Sequence, residues 1–190
     1  MHIEIPKRLE GEEILLRPLR VGDADAYAQA FVEDPELGRL IGFEEDPTAD
    51  QIAQNVAGAA DGAAAGKWVE LAIGLPADES FRGSVVAHSF SEEHRRCEIG
   101  FWVVPSARRF GLATAALSRF LDWTFDELPI DRVEMSTTPD NRGTRGLAAR
   151  LGVTEEGTFR KRNVERGKRI DLVTFGLLMR DWRARRSSGG

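Results

Sequence analysis

A chain of 190 residues is long enough for one domain with a substantial core and short for two. With 42% hydrophobic and 30% charged residues it has an ordinary globular make-up, and no stretch approaches the roughly 18 consecutive apolar residues of a membrane span. A net charge of −5 and a pI near 5.4 argue against nucleic acid as the main partner and fit a cationic substrate such as an amine. The opening MHIEIPKRLEGEE is too polar for a secretory signal, so the chain is expected to stay in the cytoplasm. EILLRPLR reads as a first strand, and Asp23 as the N-cap of a helix over DADAYAQAFVED that Pro35 stops or diverts. A second helix is expected from Thr48 in TADQIAQNVAGAADGAAAG, loosened at its end by glycine and alanine. Three strands follow, WVELAIGL, GSVVAHSF and RCEIGFWVV, separated by the turn-rich LPADES and the polar SEEHR. GLATAALSRFLDWTFDEL is free of interior Pro and Gly and apolar on a wide face, the pattern of a helix packed on a sheet. RVEMSTT is the next strand, NRGTRGLAARLG a short helix with Gly152 at its C-terminus, and GTFRKRNVERGKRIDLVTFGLLM two strands joined around Arg166 and Gly167. The closing RARRSSGG reads as a frayed tail.

This order makes a single mixed α/β domain over residues 1–186, with 187–190 as tail and a parallel strand–helix–strand crossover around residues 98 to 138. A lone cysteine, Cys97, excludes an internal disulfide and a multi-cysteine metal site. His88, His94 and Cys97 are close in sequence, but they fall on strand-like residues without a metal-ligand spacing, so no metal is expected.

The loop in VVPSARRFGLATAAL carries the chemistry. A strand-to-helix turn leaves the first N–H groups of the helix unpaired at the strand's carboxyl end, backed by the helix dipole, and such a site accepts a phosphate. Gly111 allows close approach of backbone to ligand, Ala113 keeps the first helical turn small, and Arg108 and Arg109 place charge at the rim. Two other phosphate motifs are excluded. GAAAGKW has one residue too few between its glycines for a P-loop and ends in tryptophan, and the turn has no Gly-x-Gly-x-x-Gly.

Arg108-Arg109-Phe110-Gly111-Leu112-Ala113 resembles the Gln/Arg-x-x-Gly-x-Gly/Ala motif of the GNAT acetyltransferases, which holds the pyrophosphate of coenzyme A. EIGFWVVP is similar to the family's central strand, TTPDNRGTRGLAARLG with EEGTFR to its Asn-x-x-Ser helix and the stretch after it, and EILLRPLRVGDADAY to its first strand and helix. The similarity spans most of residues 13 to 180, and the nearest branch acetylates the N-terminal amine of ribosomal proteins. Leu151-Gly152-Val153 stands where the family usually has Leu-Gly-Phe.

The resemblance implies an α/β (α+β) GNAT fold, a mostly antiparallel sheet of about seven strands with a central splayed parallel pair, flanked by about four helices. It implies transfer of an acetyl group from acetyl-coenzyme A to a primary amine, most readily a protein or peptide N-terminus. Trp102, Val103 and Val104 would offer backbone hydrogen bonds to pantetheine. Residues Arg108 to Thr114 would hold the pyrophosphate, and Asn141 either contacts the pantetheine arm or caps its helix, with Asp140 a competing cap. Thr144, in the place of the motif's serine, is a candidate proton donor to the leaving thiolate. Tyr27, the only tyrosine, lies in the first helix, away from the position used by tyrosine-dependent members. Glu98 is a candidate base, or else a strand-start carboxylate paired with Arg95 or Arg96, and Glu134 stands in reserve. The basic FRKRNVERGKR would touch the coenzyme's 3′-phosphate or an acidic substrate, or form the solvated face of a hairpin. A small-molecule amine as acceptor and a non-catalytic acyl-coenzyme A-binding module are the competing readings. Many relatives pair as dimers, though no feature here compels it.

Overall fold

WVELAIG is a short apolar run broken only by Glu70, and in the computed structural model, which describes residues 1–188, that stretch is the third of eight strands, buried from Leu71 to Gly74. In chain order the elements are β1 (Leu9–Glu10), β2 (Leu15–Pro18), α1 (Ala24–Glu33), α2 (Leu37–Ile41), α3 (Ala49–Ala57), α4 (Ala59–Ala64), β3 (Trp68–Gly74), β4 (Gly83–Ser91), β5 (Arg96–Val103), α5 (Leu112–Glu127), β6 (Arg132–Thr137), α6 (Arg142–Leu151), β7 (Thr154–Glu165), β8 (Lys168–Leu178) and α7 (Met179–Ser188). The strands form one sheet in the order β1-β2-β3-β4-β5-β6-β8-β7. Every neighbouring pair is antiparallel except β5 and β6, which α5 joins as a parallel crossover. The mostly antiparallel sheet with its central parallel pair is the expected fold, with one more strand and three more helices among the described residues. No helix among them is long and apolar enough to cross a membrane.

The sheet has two apolar faces. Cys97 and Ile99 of β5, Val133 and Met135 of β6 and Val173 and Phe175 of β8 pack against Ala116, Leu117, Phe120 and Leu121 of α5. Each such side chain, fully buried, contributes about 1.5–3 kcal/mol. On the opposite face α1, α2 and α3 lie over Ala72 and Trp102, with Tyr27, Phe31, Leu37 and Ile52 filling the space. Alternation along β5 therefore sends Cys97 and Ile99 toward α5, and Glu98, Gly100 and Trp102 toward α1–α3.

Two local expectations change. Asp23 precedes α1, but its side chain makes no capping hydrogen bond to that helix. It is buried and accepts from Arg17 Nη1 at 2.8 Å, Arg17 Nη2 at 2.7 Å and the Arg20 amide at 2.8 Å, tying the end of β2 to the start of α1. Asp23→Ala is expected to destabilise the chain by about 3–5 kcal/mol, because it strands a buried guanidinium. Thermal melting should read a fall on the order of 10 °C. A drop no larger than that of a surface substitution would contradict this reading.

The segment from residue 183, expected as tail, is helical through Ser188, and residues 189–190 lie outside the described part. Trp182 of α7 is buried and donates from Nε1 to Asp122 of α5 at 2.9 Å, while Arg186 and Arg183 pair with Asp122 and Asp126. Docking on α5 holds this helix.

Candidate active site

β5 and β6 run side by side over three residues only, Arg96, Cys97 and Glu98 facing Arg132, Val133 and Glu134. Beyond Glu98 the two strands part. β5 stays paired with β4 as far as Val103 opposite Gly83, and β6 stays paired with β8 as far as Thr137 opposite Val173. Each follows its own antiparallel neighbour, and strand twist carries them away from each other. The wedge they leave opens into a cleft of about 1160 Å³ walled by β5, the starts of α5 and α6, the end of β6, α2 and the tip of the β7–β8 hairpin.

The turn after β5 ends the wedge. Gly111 sits at φ 79° and Arg109 at φ 72°, both left-handed, and a Cβ on Gly111 would meet no atom within 4 Å, so the backbone there faces open space. α5 begins without a side-chain cap, and its first backbone bond runs from Ala115 N–H to the Gly111 carbonyl at 3.0 Å. The N–H groups of Leu112, Ala113 and Thr114 find no acceptor among the described residues, and all three residues line the cleft. Uncapped amides at the positive end of a 16-residue helix fit a pyrophosphate.

The rim residues divide. Arg109 lines the cleft and forms no ion pair among the described residues. Arg108 also lines it, but its Nε donates to the Val103 carbonyl at 3.1 Å and its Nη1 pairs with Asp34 at 2.6 Å, so it braces the turn against α1. Phe110 is 80% exposed and does not reach the cleft. Val104 does not line it either, and its N–H donates to the Arg82 carbonyl at 2.9 Å instead of standing free for a ligand. Trp102 and Val103 do line it. The Trp102 ring is buried against Tyr27, with centroids 4.8 Å apart, and against Phe31 and Phe81, which anchors β5.

At the other wall Asn141 accepts from the Thr144 amide at 3.1 Å through Oδ1, which makes it the N-cap of α6. It lines the cleft as well, so its carboxamide NH₂ remains available there. Asp140 pairs with Arg39 instead of capping. Thr144 is half-buried on the cleft wall, and its hydroxyl has no partner among the described residues.

Glu98 stands at the vertex of the wedge. Its anticipated surface partners are engaged elsewhere, Arg95 with Asp131 and Arg96 with Glu134 at 2.8 Å, and Glu98 forms no ion pair among the described residues. Glu134 accepts from both Arg96 and Arg132, at 2.8 and 2.9 Å, and does not line the cleft. Its carboxylate is thereby committed to two guanidinium groups.

Two further carboxylates were not anticipated. Glu70 of β3 lines the cleft, accepts from Tyr27 Oη at 3.2 Å and from the Ser84 hydroxyl, and burial raises its pKa above the usual carboxylate range. Its signal was legible: a lone acid inside WVELAIG, on the face that also carries Ala72 and Trp68. Tyr27, read as remote, therefore borders the cleft, its hydroxyl held by Glu70 and its pKa raised chiefly by burial. Glu165, at the end of β7, lines the cleft with Oε2 buried and unpartnered among the described residues, and burial raises its pKa too. Arg166 beside it reaches across to Asp46 at 3.3 Å and donates its amide to Glu44, so the hairpin tip is clasped to the loop after α2. Leu37, Leu40, Ile41 and Phe43 give that end an apolar wall. His88, His94 and Cys97 do not converge: among the described residues no group of three or more His, Cys, Asp or Glu side chains could hold a metal. Cys97 is buried, which pushes its thiol up to about 12.

A family model described as an acetyltransferase (GNAT) domain matches residues 13–154. YdaF of Bacillus subtilis (strain 168), provisionally named a ribosomal N-acetyltransferase, is 28% identical over 180 residues, covering 90% of this chain and 94% of that protein. Among solved structures, Mycobacterium smegmatis RimJ in complex with CoA-disulfide matches with a TM-score of 0.81 at 24% identity, over 93% of this chain and 89% of that one. The microcin C7 self-immunity acetyltransferase MccE, in complex with acetyl-CoA and AMP, matches with a TM-score of 0.79 at 17% identity, over 88% and 93%. At these identities the two structures speak for the fold.

Proposed function

The chain belongs to the GNAT acetyltransferase family, and from that premise we propose that it moves an acetyl group from acetyl-coenzyme A to a primary amine, most readily the N-terminal amine of a protein or peptide. One observation carries the reading: β5 and β6 part after three paired residues, and the gap between them leads to the uncapped start of α5 behind Gly111. A pyrophosphate on the amides of Leu112 to Thr114 would send the pantetheine arm back along β5 toward the vertex. From Val103 to Glu98 that path is about 17 Å at roughly 3.3 Å per residue. Arg109 adds charge at the phosphate end, and the backbone of Trp102 and Val103 with the Asn141 carboxamide borders the arm.

The thioester then reaches the vertex beside Glu98. The acceptor enters past Leu37, Leu40 and Phe43, its ammonium drawn to the carboxylates of Glu70 and Glu165. Glu98 takes a proton from the ammonium, directly or through water, and the free amine attacks the thioester carbonyl carbon. When the tetrahedral intermediate collapses, the carbon–sulfur bond breaks, and the proton that the attacking nitrogen still carries passes to the thiolate, relayed by the Thr144 hydroxyl on the α6 wall or by water, so that Thr144 ends the step neutral. The products are the N-acetylated amine and coenzyme A. A small amine as acceptor has one observation in its favour: the clasp of Arg166 to Glu44 and Asp46 narrows the mouth.

Calorimetric titration with acetyl-coenzyme A, with NAD and ATP as controls, tests the donor. Micromolar binding of acetyl-coenzyme A alone is expected, followed by turnover on short peptides with a free N-terminus and none on the same peptides blocked at that end. Absence of binding removes the enzyme reading. Binding without turnover on any amine leaves a non-catalytic acyl-coenzyme A module. Turnover on small amines but not on peptides moves the acceptor to the second class.

A further inference from the structure

We propose that the β7–β8 hairpin carries a docking surface for a single-stranded polynucleotide. The acidic net charge that argues against nucleic acid is an average over two unlike parts. Residues 1–141 hold 13 Lys and Arg against 26 Asp and Glu, whereas residues 142–190 hold 13 against 5, so a body of −13 carries a C-terminal part of +8. Such asymmetry along a chain is a signature of binding to a polyanion.

Within that part Arg145, Arg166, Arg180, Arg183 and Arg186 pair with carboxylates, and the unpaired charge gathers on the hairpin. Before residue 142 arginines are mostly set against carboxylates: Arg82, Arg95 and Arg96 each pair with one and Arg132 with two. Arg160, Lys161, Arg162, Lys168 and Arg169 form no ion pair among the described residues. All five are exposed and contribute nothing to the core. They lie on the outermost strand and its only neighbour. β7 is exposed at every position from Thr154 to Val164.

The surface also offers a ring. Phe159 is 57% exposed, with the Arg162 guanidinium 5.7 Å from its centroid. An exposed aromatic among arginines is a platform on which a base stacks while the cations follow the phosphates. An acidic polypeptide would meet the charge but has no use for the ring, so a polynucleotide fits better. A second copy adding a strand at this edge fits worse. The register slips between Phe159 and Asn163, and Lys161 sits at φ 51°, a kink that blunts pairing. Asn163 and Glu165, further along the same strand, line the acceptor cleft, so the bound strand would lie beside its mouth. The surface stands independently of acetyl transfer and is tested without it.

The test is fluorescence anisotropy of the full chain with a labelled, unstructured 20-nucleotide RNA and the DNA of the same sequence, titrated from low to moderate salt. Micromolar binding at low salt is expected, with log affinity falling against log salt at a slope of about −3.5 for five neutralised phosphates. Tighter binding of the RNA or of the DNA identifies which polynucleotide the surface serves. The variant R160E/R162E/K168E/R169E should lose at least about a hundredfold and Phe159→Ala about tenfold, with acetyl-coenzyme A affinity unchanged in both. Should the quadruple variant melt early, R160S/R162S, which must reduce the salt slope to about −2, replaces it. Any of three results overturns the proposal: no binding of either oligonucleotide, undiminished binding by the variants, or displacement of the oligonucleotide by an equal charge concentration of polyglutamate. Loss of acetyl-coenzyme A affinity in the variants would overturn it as well, by placing these side chains on the coenzyme.

Discussion

Gly111→Glu is expected to lower acetyl-coenzyme A affinity by about a thousandfold and so to abolish activity at ordinary donor concentrations. The residue precedes α5, and its missing side chain faces open space at the point where a pyrophosphate would meet the free amides of Leu112, Ala113 and Thr114. A carboxylate there meets phosphate at close range. At about 4 Å and an effective dielectric near 20 the repulsion is about 4 kcal/mol, or three decades in binding. The substitution also has a structural cost, because φ is 79° and an L side chain in that region loses about 1–2 kcal/mol. Gly111→Asn separates the two effects, since asparagine tolerates the conformation and brings no charge. It should show no more than a small fall in melting temperature and retain measurable binding by calorimetry. Equal affinity in wild type and Gly111→Glu would mean that the coenzyme's phosphates lie elsewhere and that the turn after β5 is only a turn.

Glu98→Gln is expected to reduce kcat by about 10²–10⁴-fold with little change in acetyl-coenzyme A binding, the range for loss of a positioned base. The expectation rests on its place at the wedge vertex and on the absence of a paired cation, Arg95 and Arg96 being held by Asp131 and Glu134. Glu70→Gln should behave differently. If Glu70 holds the acceptor's ammonium, its loss raises the acceptor KM and spares kcat. The sign of its pH dependence follows from burial, which raises its pKa. Below that raised pKa the group is neutral and attracts no cation, and above it the carboxylate is present. Acceptor KM should therefore fall as pH rises through a window above the ordinary carboxylate range, and that fall should be missing in Glu70→Gln. A collapse of kcat in Glu70→Gln with normal kcat in Glu98→Gln would exchange the two roles.

Much of this was readable before any coordinates. β3, β4, β5, α5, β6 and α6 lie within a few residues of their expected bounds, because each has a pattern or a stop signal of its own: a short apolar run broken only by Glu70 in WVELAIG, an uninterrupted apolar face in α5, Gly152 closing α6 at φ 74°. The turn after β5 was readable for the same reason, as a local strand–glycine–helix pattern. α2 was not, since five residues between Pro35 and Gly42 carry no periodic signal. α7 was not, since its C-terminal half, RARRSS, has no apolar stripe and is helical where Trp182 and Arg186 dock on Asp122. Asp23 looked like a cap because aspartate before a helix usually is one. A buried arginine six residues earlier competes better for its oxygens.

The candidate site divides along the same line. The sequence by itself determined the class of fold, the glycine turn between β5 and α5, Asn141 and Thr144 at the start of α6, and Glu98 as the acid opening the central strand, because these depend on residues a few positions apart. Only the tertiary structure decided which of them face the cleft and which groups join them. Val104 turned its N–H to Arg82, Phe110 turned outward, and Glu134 was bound by two arginines. Glu70, Tyr27 and Glu165 arrived from β3, α1 and the far hairpin. Apart from Arg132 and Glu134, two positions apart, the contacts that set these positions join residues from 14 to 122 positions apart, and a one-dimensional pattern holds no record of which distant side chain will share a given hydrogen bond.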